Sequence, residues 1–320
     1  MSVSVFAPAS IGNVNVGFDV LGLAVKPVDG TLLGDVVTVE ASDTDALVVV
    51  GAFANKLPVE ATDNIVWHCL LLFNQALSQK GITPQKVTLT LDKKMPVGSG
   101  LGSSACSVVA ALAGLNAFYD NYFDEEAIVR MMGEMEAQIS GSLHYDNVAP
   151  CYLGGLQLMV PDEQIISRTL PFFDDCFFVM AYPGIEVSTK AARDVLPTQY
   201  SRQDLIRFGQ NLATFVDACH RQDKLQAFAV LEDVVAESYR QHLLPGFEQA
   251  KTQLLADGAL TVGISGSGPT LFSVFDHKSD ADRAAQWLHD NYLQTDLGFV
   301  HVCKVDEVGA SKISTCTKKD

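Results

Sequence analysis

The sequence predicts a protein of mixed helices and strands, large enough to divide into two lobes. Three observations carry that prediction. The chain has 320 residues, and beyond roughly 250–300 residues a single core stops growing. In the first half, an alternating segment Val87–Leu91 leads into a glycine-rich run and then an apolar stretch from Ala105 to Phe118, which reads strand, loop, buried helix. Near the C-terminus, Thr261–Ser265, Gly266–Pro269, Thr270–Phe275, Ser279–Leu293 and Gly298–Val305 read in turn as strand, turn, strand, helix and strand.

The totals narrow the function. A formal net charge of -16 argues against nucleic acid or an anionic membrane as partner. It also repels any polyphosphate, so attraction for one must be built locally. The cysteines are odd in number, lack a C-x-x-C pair and mostly lie in apolar runs, as expected of reduced, buried thiols in a cytoplasmic protein. No signal peptide, transmembrane run or zinc-type histidine spacing is read.

In order, residues 1–6 alternate as a first strand. Ala7 to Asp19 is small, polar and glycine-rich but lies between apolar segments, so it is a partly buried loop in which Asn13 and Asp19 need partners. On spacing alone, an Asx-turn network joining two strands accounts for them as well as a binding site does. Residues 35–50 hold a further strand pair. Asp63 or Asn64 caps a helix reaching about Gln79. Lys93 and Lys94 could meet phosphate, although lysines at a strand end are ordinarily solvated.

The central run is Pro96, Val97, Gly98, Ser99, Gly100, Leu101, Gly102, Ser103, Ser104, Ala105, Cys106. A strand–glycine loop–helix leaves the first helical N–H groups unpaired, with the positive end of the macrodipole behind them. Such a place binds phosphate. The run is not a Walker loop, since no lysine follows the glycines, nor a dinucleotide fingerprint, since no ribose-binding acid follows. As a bare glycine turn it is weak evidence, and a tight strand–helix connection is the lesser alternative.

Asp124 caps the next helix, with Ile128, Met131, Met132, Met135 and Ile139 as its apolar stripe. Glu136 falls on the border of that stripe, where a carboxylate is either paired, bound to a cation, or reaching solvent. His144 lies past the helix end in the polar segment Ser140–Pro150. Strands are expected at Gly155–Val160 and Cys176–Ala181. Arg193 sits in a short helix, Ser188–Leu196. A long helix starts at a capping-box pattern, Ser201–Asp204, with Leu205, Phe208, Leu212, Phe215 and Cys219 inward. Helical character continues to Arg240, and the tail after Gly309 reads as loose.

The run Pro-x-Gly-Ser-Gly-Leu-Gly-Ser-Ser-Ala resembles the nucleotide-binding motif of the GHMP small-molecule kinases. Gly263–Thr270 is similar to their third motif, at the floor of the active site. Within that family, Gly141–Pro150 and the stretch from Pro8 to Asp19 are similar to homoserine kinases, with departures at Ile11–Gly12 and Val14–Val16. The resemblance implies an α+β, two-lobed GHMP kinase fold. Its first lobe, residues 1–155, would resemble the second domain of ribosomal protein S5, and its second, residues 156–320, would be ferredoxin-like.

The resemblance also implies ATP as phosphate donor, held by Asn64 and the run from Pro96 to Cys106, and Mg2+ held by Ser104 and Glu136. L-homoserine would be the acceptor, oriented by Asn13, Asp19, His144, Arg193 and Arg240, with Asp19, Glu136 and Ser104 closest to the chemistry. A homodimer is the family's usual state. The nearest rival is a family member acting on another small alcohol such as mevalonate, which has no ammonium group for Asp19. A non-catalytic nucleotide-binding member is the rival from a different class, and the retention of Ser104 and Glu136 argues against it.

Overall fold

Two sheets organise the chain, and each takes a strand from the other half of the sequence. The computed structural model describes residues 2–162 and 164–313. The N-terminal strand β1 (Ser2–Pro8) is followed by the short β2 (Ser10–Gly12), β3 (Leu21–Pro27), β4 (Gly34–Ala41) and β5 (Ala46–Val50). After helix α1 (Ile65–Gln79) comes β6 (Val87–Asp92), which buries every second residue, as its alternation requires.

Residues 35–50 yield the two expected strands, but they do not pair with each other. β6 lies between them, antiparallel to β4 and parallel to β5. A parallel pair needs a crossover connection, and α1 supplies it.

Helix α2 (Ser103–Phe118) lies across β1 and β4 and is buried on nearly every side. It is flanked by α1 and by α3 (Glu125–Ser140), whose N-terminus is capped by the Asp124 carboxylate accepting from the Ala127 amide at 2.9 Å. A short helix, α4 (Val148–Leu153), not foreseen from the sequence, returns the chain to β7 (Leu156–Met159) and the equally unforeseen β8 (Ser167–Leu170).

The second half contributes β9 (Phe177–Tyr182), then α5 (Thr189–Asp194), α6 (Arg202–Arg221), α7 (Lys224–Ala229), α8 (Glu237–Arg240) and α9 (Phe247–Ala256). The hairpin β10 (Thr261–Ile264) and β11 (Leu271–Phe275), helix α10 (Lys278–Asn291) and strand β12 (Phe299–Val305) complete the larger sheet. The order β10-β11-β9-β12 is second-third-first-fourth among these strands, the ferredoxin-like arrangement. The capping box at Ser201–Asp204 is present. The α6 stripe is buried only in its C-terminal half: Phe215 and Cys219 are fully enclosed, whereas Leu205 is 68% exposed.

The exchange of strands is mutual. β3 lies between β12 and β7, in the sheet of the second half. The start of the tail, expected to be loose after Gly309, instead forms β13 (Ser311–Lys312) against β1 in the first sheet; residues 314–320 lie outside the described residues. Six cysteines, from Cys69 to Cys303, are free and buried; Cys316 lies outside the described residues.

Candidate active site

The glycine run forms one wall of a cavity of about 470 Å³. Gly98, Gly100 and Gly102 all adopt left-handed backbone (φ +62°, +79° and +68°). Space matters as well: a Cβ on Gly100 would stand 2.5 Å from the Ser265 carbonyl oxygen.

The carbonyls from Gly98 to Gly102 are each satisfied by a donor of the protein. The Gly98 oxygen accepts from the Val187 amide (3.1 Å), that of Leu101 from the Ser10 amide (3.2 Å) and that of Gly102 from the Cys106 amide (2.8 Å). The Ser99 oxygen accepts from the Thr270 hydroxyl and that of Gly100 from the Ser265 hydroxyl, both at 2.7 Å. The amides of Ser103, Ser104 and Ala105, at the start of α2, have no acceptor among the described residues. A chain that fixes its carbonyls and leaves its amides open at a helix N-terminus is a nest for an anion.

Beneath this nest is a buried ion pair. Lys93, 1% exposed, donates to Asp35 Oδ2 (2.5 Å), to the Ser103 carbonyl and hydroxyl (2.8 Å each) and to Ser107 Oγ (3.0 Å). The sequence reading left this lysine in solvent. The structure corrects that, because its partner Asp35 lies 58 positions away and no local pattern connects them. Lys94 has the ordinary fate, an exposed pair with Asp92.

Glu136 is buried, not solvent-reaching, and accepts from Ser104 Oγ at 2.6 Å. Burial pushes its carboxyl above the usual range, with the Ser104 hydroxyl acting the other way.

The opposite wall comes from the loop before β3, from the segment after α3, and from α5 and α8. Asn13, in left-handed backbone, accepts from the Asp19 amide (2.9 Å) and donates to the Gly266 carbonyl (3.2 Å). Asp19 forms a bidentate pair with Arg193 at 2.9 and 3.2 Å. Arg240, 2% exposed, donates to the carbonyls of Ala192 (2.9 Å) and Gly266 (3.0 Å). Burial lowers its basicity. Both guanidinium groups lie over the Phe18 ring, 5.8 and 5.4 Å from its centre, a contact favourable to cations.

His144 Nδ1 stands 2.9 Å from Asp146 Oδ1. Its Nε2 is buried, with no partner among the described residues. Burial pulls its pKa down, but the hydrogen bond and charge of Asp146 outweigh this and leave it raised.

Asn13, Asp19, His144, Arg193, Arg240, Ser104 and Glu136 therefore meet in one cavity. Asn64 also lines it. Its Oδ1 caps α1 by accepting from the Val66 amide at 3.0 Å, and its Nδ2 is buried without a partner among the described residues. From the central run, Val97, Gly98, Ser99, Gly100, Gly102 and Ser103 reach the cavity as well. Pro96, Leu101, Ala105 and Cys106 do not line it. Leu101, Ala105 and Cys106 belong to the apolar core, and the Cys106 amide is already used within the helix. Their part in the nest is to anchor it. Sequence reasoning missed Asp35, Ser107, Asp146, Asn147 and Phe18 as parts of the site.

Fold and cavity together set a nest of open amides opposite a pocket of paired opposite charges, the arrangement a small-molecule kinase needs. The sequence pattern of the family described as GHMP kinases N terminal domain matches residues 64–155, and that of GHMP kinases C terminal matches residues 209–293. A homoserine kinase from Cytophaga hutchinsonii is 33% identical, with a TM-score of 0.87 over 98% of this chain and 97% of that one. The fold is shared with a mevalonate kinase from Methanococcus jannaschii (13% identity, TM-score 0.68, 95% and 98% covered). It is also shared with a phosphomevalonate kinase from Streptococcus pneumoniae (12%, 0.69, 98% and 99%). The chain belongs to the GHMP kinases and is a phosphotransferase.

Proposed function

We propose that this protein is a cytoplasmic enzyme that transfers the γ-phosphoryl group of ATP to the side-chain hydroxyl of L-homoserine, giving ADP and O-phospho-L-homoserine. The observation that carries the reading is the Asp19–Arg193 pair, backed by Arg240, in the same cavity as the amide nest. An α-amino acid carries one charge for each side of that pair. Its ammonium group suits Asp19, and its carboxylate suits the forked donors of Arg193 and Arg240. Likeness to a homoserine kinase at 33% identity supports the same acceptor.

In this reading the amides from Gly98 to Ser104 hold the phosphates, and Asn64 faces the base. Asn13 shapes the Asp19 turn, and His144 Nε2 touches the amino acid. The acceptor oxygen attacks the γ-phosphorus as the bond to the β-phosphate oxygen breaks, and the hydroxyl proton leaves with the transferred group or to solvent. Positioning and electrostatics supply most of the acceleration in such a transfer, so Asp19 serves as the ammonium partner and not as a base.

Ser104 and Glu136 fit a magnesium ion in donor chemistry, since both offer oxygen and the buried carboxylate gains from a cation. Two protein oxygens are an incomplete shell for magnesium, which suits an ion carried on the nucleotide. When bound, Mg2+ supplies neutralisation of phosphate charge.

A coupled ADP-release assay with L-homoserine, L-threonine, L-serine and mevalonate tests the proposal. Homoserine is expected to be turned over fastest; no rate with it, or equal rates with all four, defeats the reading. An Asp19→Asn variant that binds homoserine normally but has lost turnover would make Asp19 the base.

A further inference from the structure

We propose that Ser10 is a positioning residue for the amino-acid half of the site, acting through the side-chain amide of Asn147 on the Asp146–His144 pair. The proposal rests on the reading of this cavity as the meeting place of ATP and an amino alcohol. Ser10 is fully buried and lies outside the cavity lining. Its amide donates to the Leu101 carbonyl of the phosphate nest, and its hydroxyl donates to Asn147 Oδ1 at 2.9 Å. Asn147 Nδ2 donates to Asp146 Oδ2 at 3.2 Å, and Asp146 Oδ1 faces His144 Nδ1 at 2.9 Å. A continuous set of bonds therefore runs from the phosphate nest to the histidine.

The chemistry gives this set a direction. An ionised carboxylate only accepts, so His144 Nδ1 must carry a proton, and Asn147 must present its NH2 group to Asp146. An asparagine amide can rotate by half a turn and exchange its oxygen and nitrogen. In the exchanged state Oδ1 would face Asp146 Oδ2, acceptor against acceptor. The carboxylate, which only accepts, selects the correct state, and the Ser10 hydroxyl, donating to Oδ1, is the second bond that holds the amide in place. With the amide held at both ends, the carboxylate keeps the setting in which its other oxygen meets His144 Nδ1.

Two further features agree. Asn147 occupies the N-cap position of α4, yet its side chain does not cap that helix, although asparagine is among the preferred caps. Glycines also clear the space around these bonds. A Cβ on Gly12 would lie 2.6 Å from Asp146 Oδ2 and 2.8 Å from Asn147 Nδ2, and one on Gly102 would lie 2.4 Å from Ser10 Oγ.

The test uses the full-length protein carrying Ser10→Ala, with Ser10→Cys as a second variant that keeps a weaker donor. Long-range 1H–15N spectra of 15N-histidine-labelled apo protein, taken at alkaline pH where the ring is neutral, read the His144 tautomer, with His144→Gln giving the assignment. Wild type and variants are expected to show the Nδ1–H form, which the carboxylate imposes, while Ser10→Ala shifts the His144 ring signals and Ser10→Cys shifts them less. In steady-state assays, Ser10→Ala is expected to raise the KM for L-homoserine about tenfold while the KM for ATP changes little, with Ser10→Cys between. An unshifted His144 spectrum in Ser10→Ala, or an equal rise in both KM values, overturns the proposal. A wild-type protein that does not phosphorylate homoserine removes the functional reading instead, and the His144 spectrum still decides this one.

Discussion

Replacing Lys93 by Met removes the cation beneath the amide nest while keeping most of its volume. Lys93 and Asp35 are 1% and 0% exposed, so the substitution leaves a carboxylate in the protein interior. Removing one partner of a buried pair costs about 3–5 kcal/mol. Asp35 would keep three donors, the amides of Lys94 and Met95 at 3.0 Å each and the Ser107 hydroxyl at 2.7 Å. That residual solvation places the loss near the lower end, about 3 kcal/mol. At roughly 2–4 °C per kcal/mol for a lobe of this size, the melting transition should fall by roughly 6–12 °C in calorimetry. Because the pair is inaccessible, added salt should not alter the difference. The double variant Lys93→Met/Asp35→Asn carries no stranded charge and should melt above the single one. A Lys93→Met protein melting within about 2 °C of wild type, or a double variant less stable than the single, would refute the reasoning.

Gly100→Ala must hold a φ of +79° with its Cβ 2.5 Å from the Ser265 oxygen. Strain of about 1–3 kcal/mol should weaken ADP binding by roughly 5- to 150-fold in titration calorimetry; wild-type affinity would show that the loop shape is not needed. Glu136→Gln should lower turnover by about 10²–10³-fold while leaving metal-free ADP binding unchanged, and chelation of divalent ions should silence the wild type. The raised pKa of His144 favours the protonated ring in the folded state. Its contribution to stability is fully present below the ordinary histidine value of 6.5 and is lost as pH rises through the higher folded value. Denaturant titrations across that window should show the decline in wild type and not in His144→Gln.

Much of this was legible in the sequence because the signals are local. The strand–glycine–helix order, the Asp124 and Ser201 caps and the β10–β11 turn each depend on neighbours within a few positions. The placing of Asn13, Asp19, Glu136, His144 and both arginines depended on family likeness, since nothing within ten residues of Arg193 or Arg240 says what they face. What stayed hidden is non-local. The burial of Lys93 requires Asp35, the separation of β4 from β5 requires β6, and the pairing of Asp19 with Arg193 spans 174 positions. The apolar spacing of α6 misled in its first half, which stays at the surface of the described residues, with Leu205 exposed.

The mutual loan of strands has a mechanical consequence. Residue 155, where the match to the N-terminal family pattern ends, is no slack tether: the Gly155 amide donates to Asp306 and its carbonyl accepts from Ala24. With β3 stitched between β7 and β12 and β13 sealing β1, the halves cannot swing apart like jaws without tearing ladder bonds. Neither half, expressed alone, would carry a finished sheet.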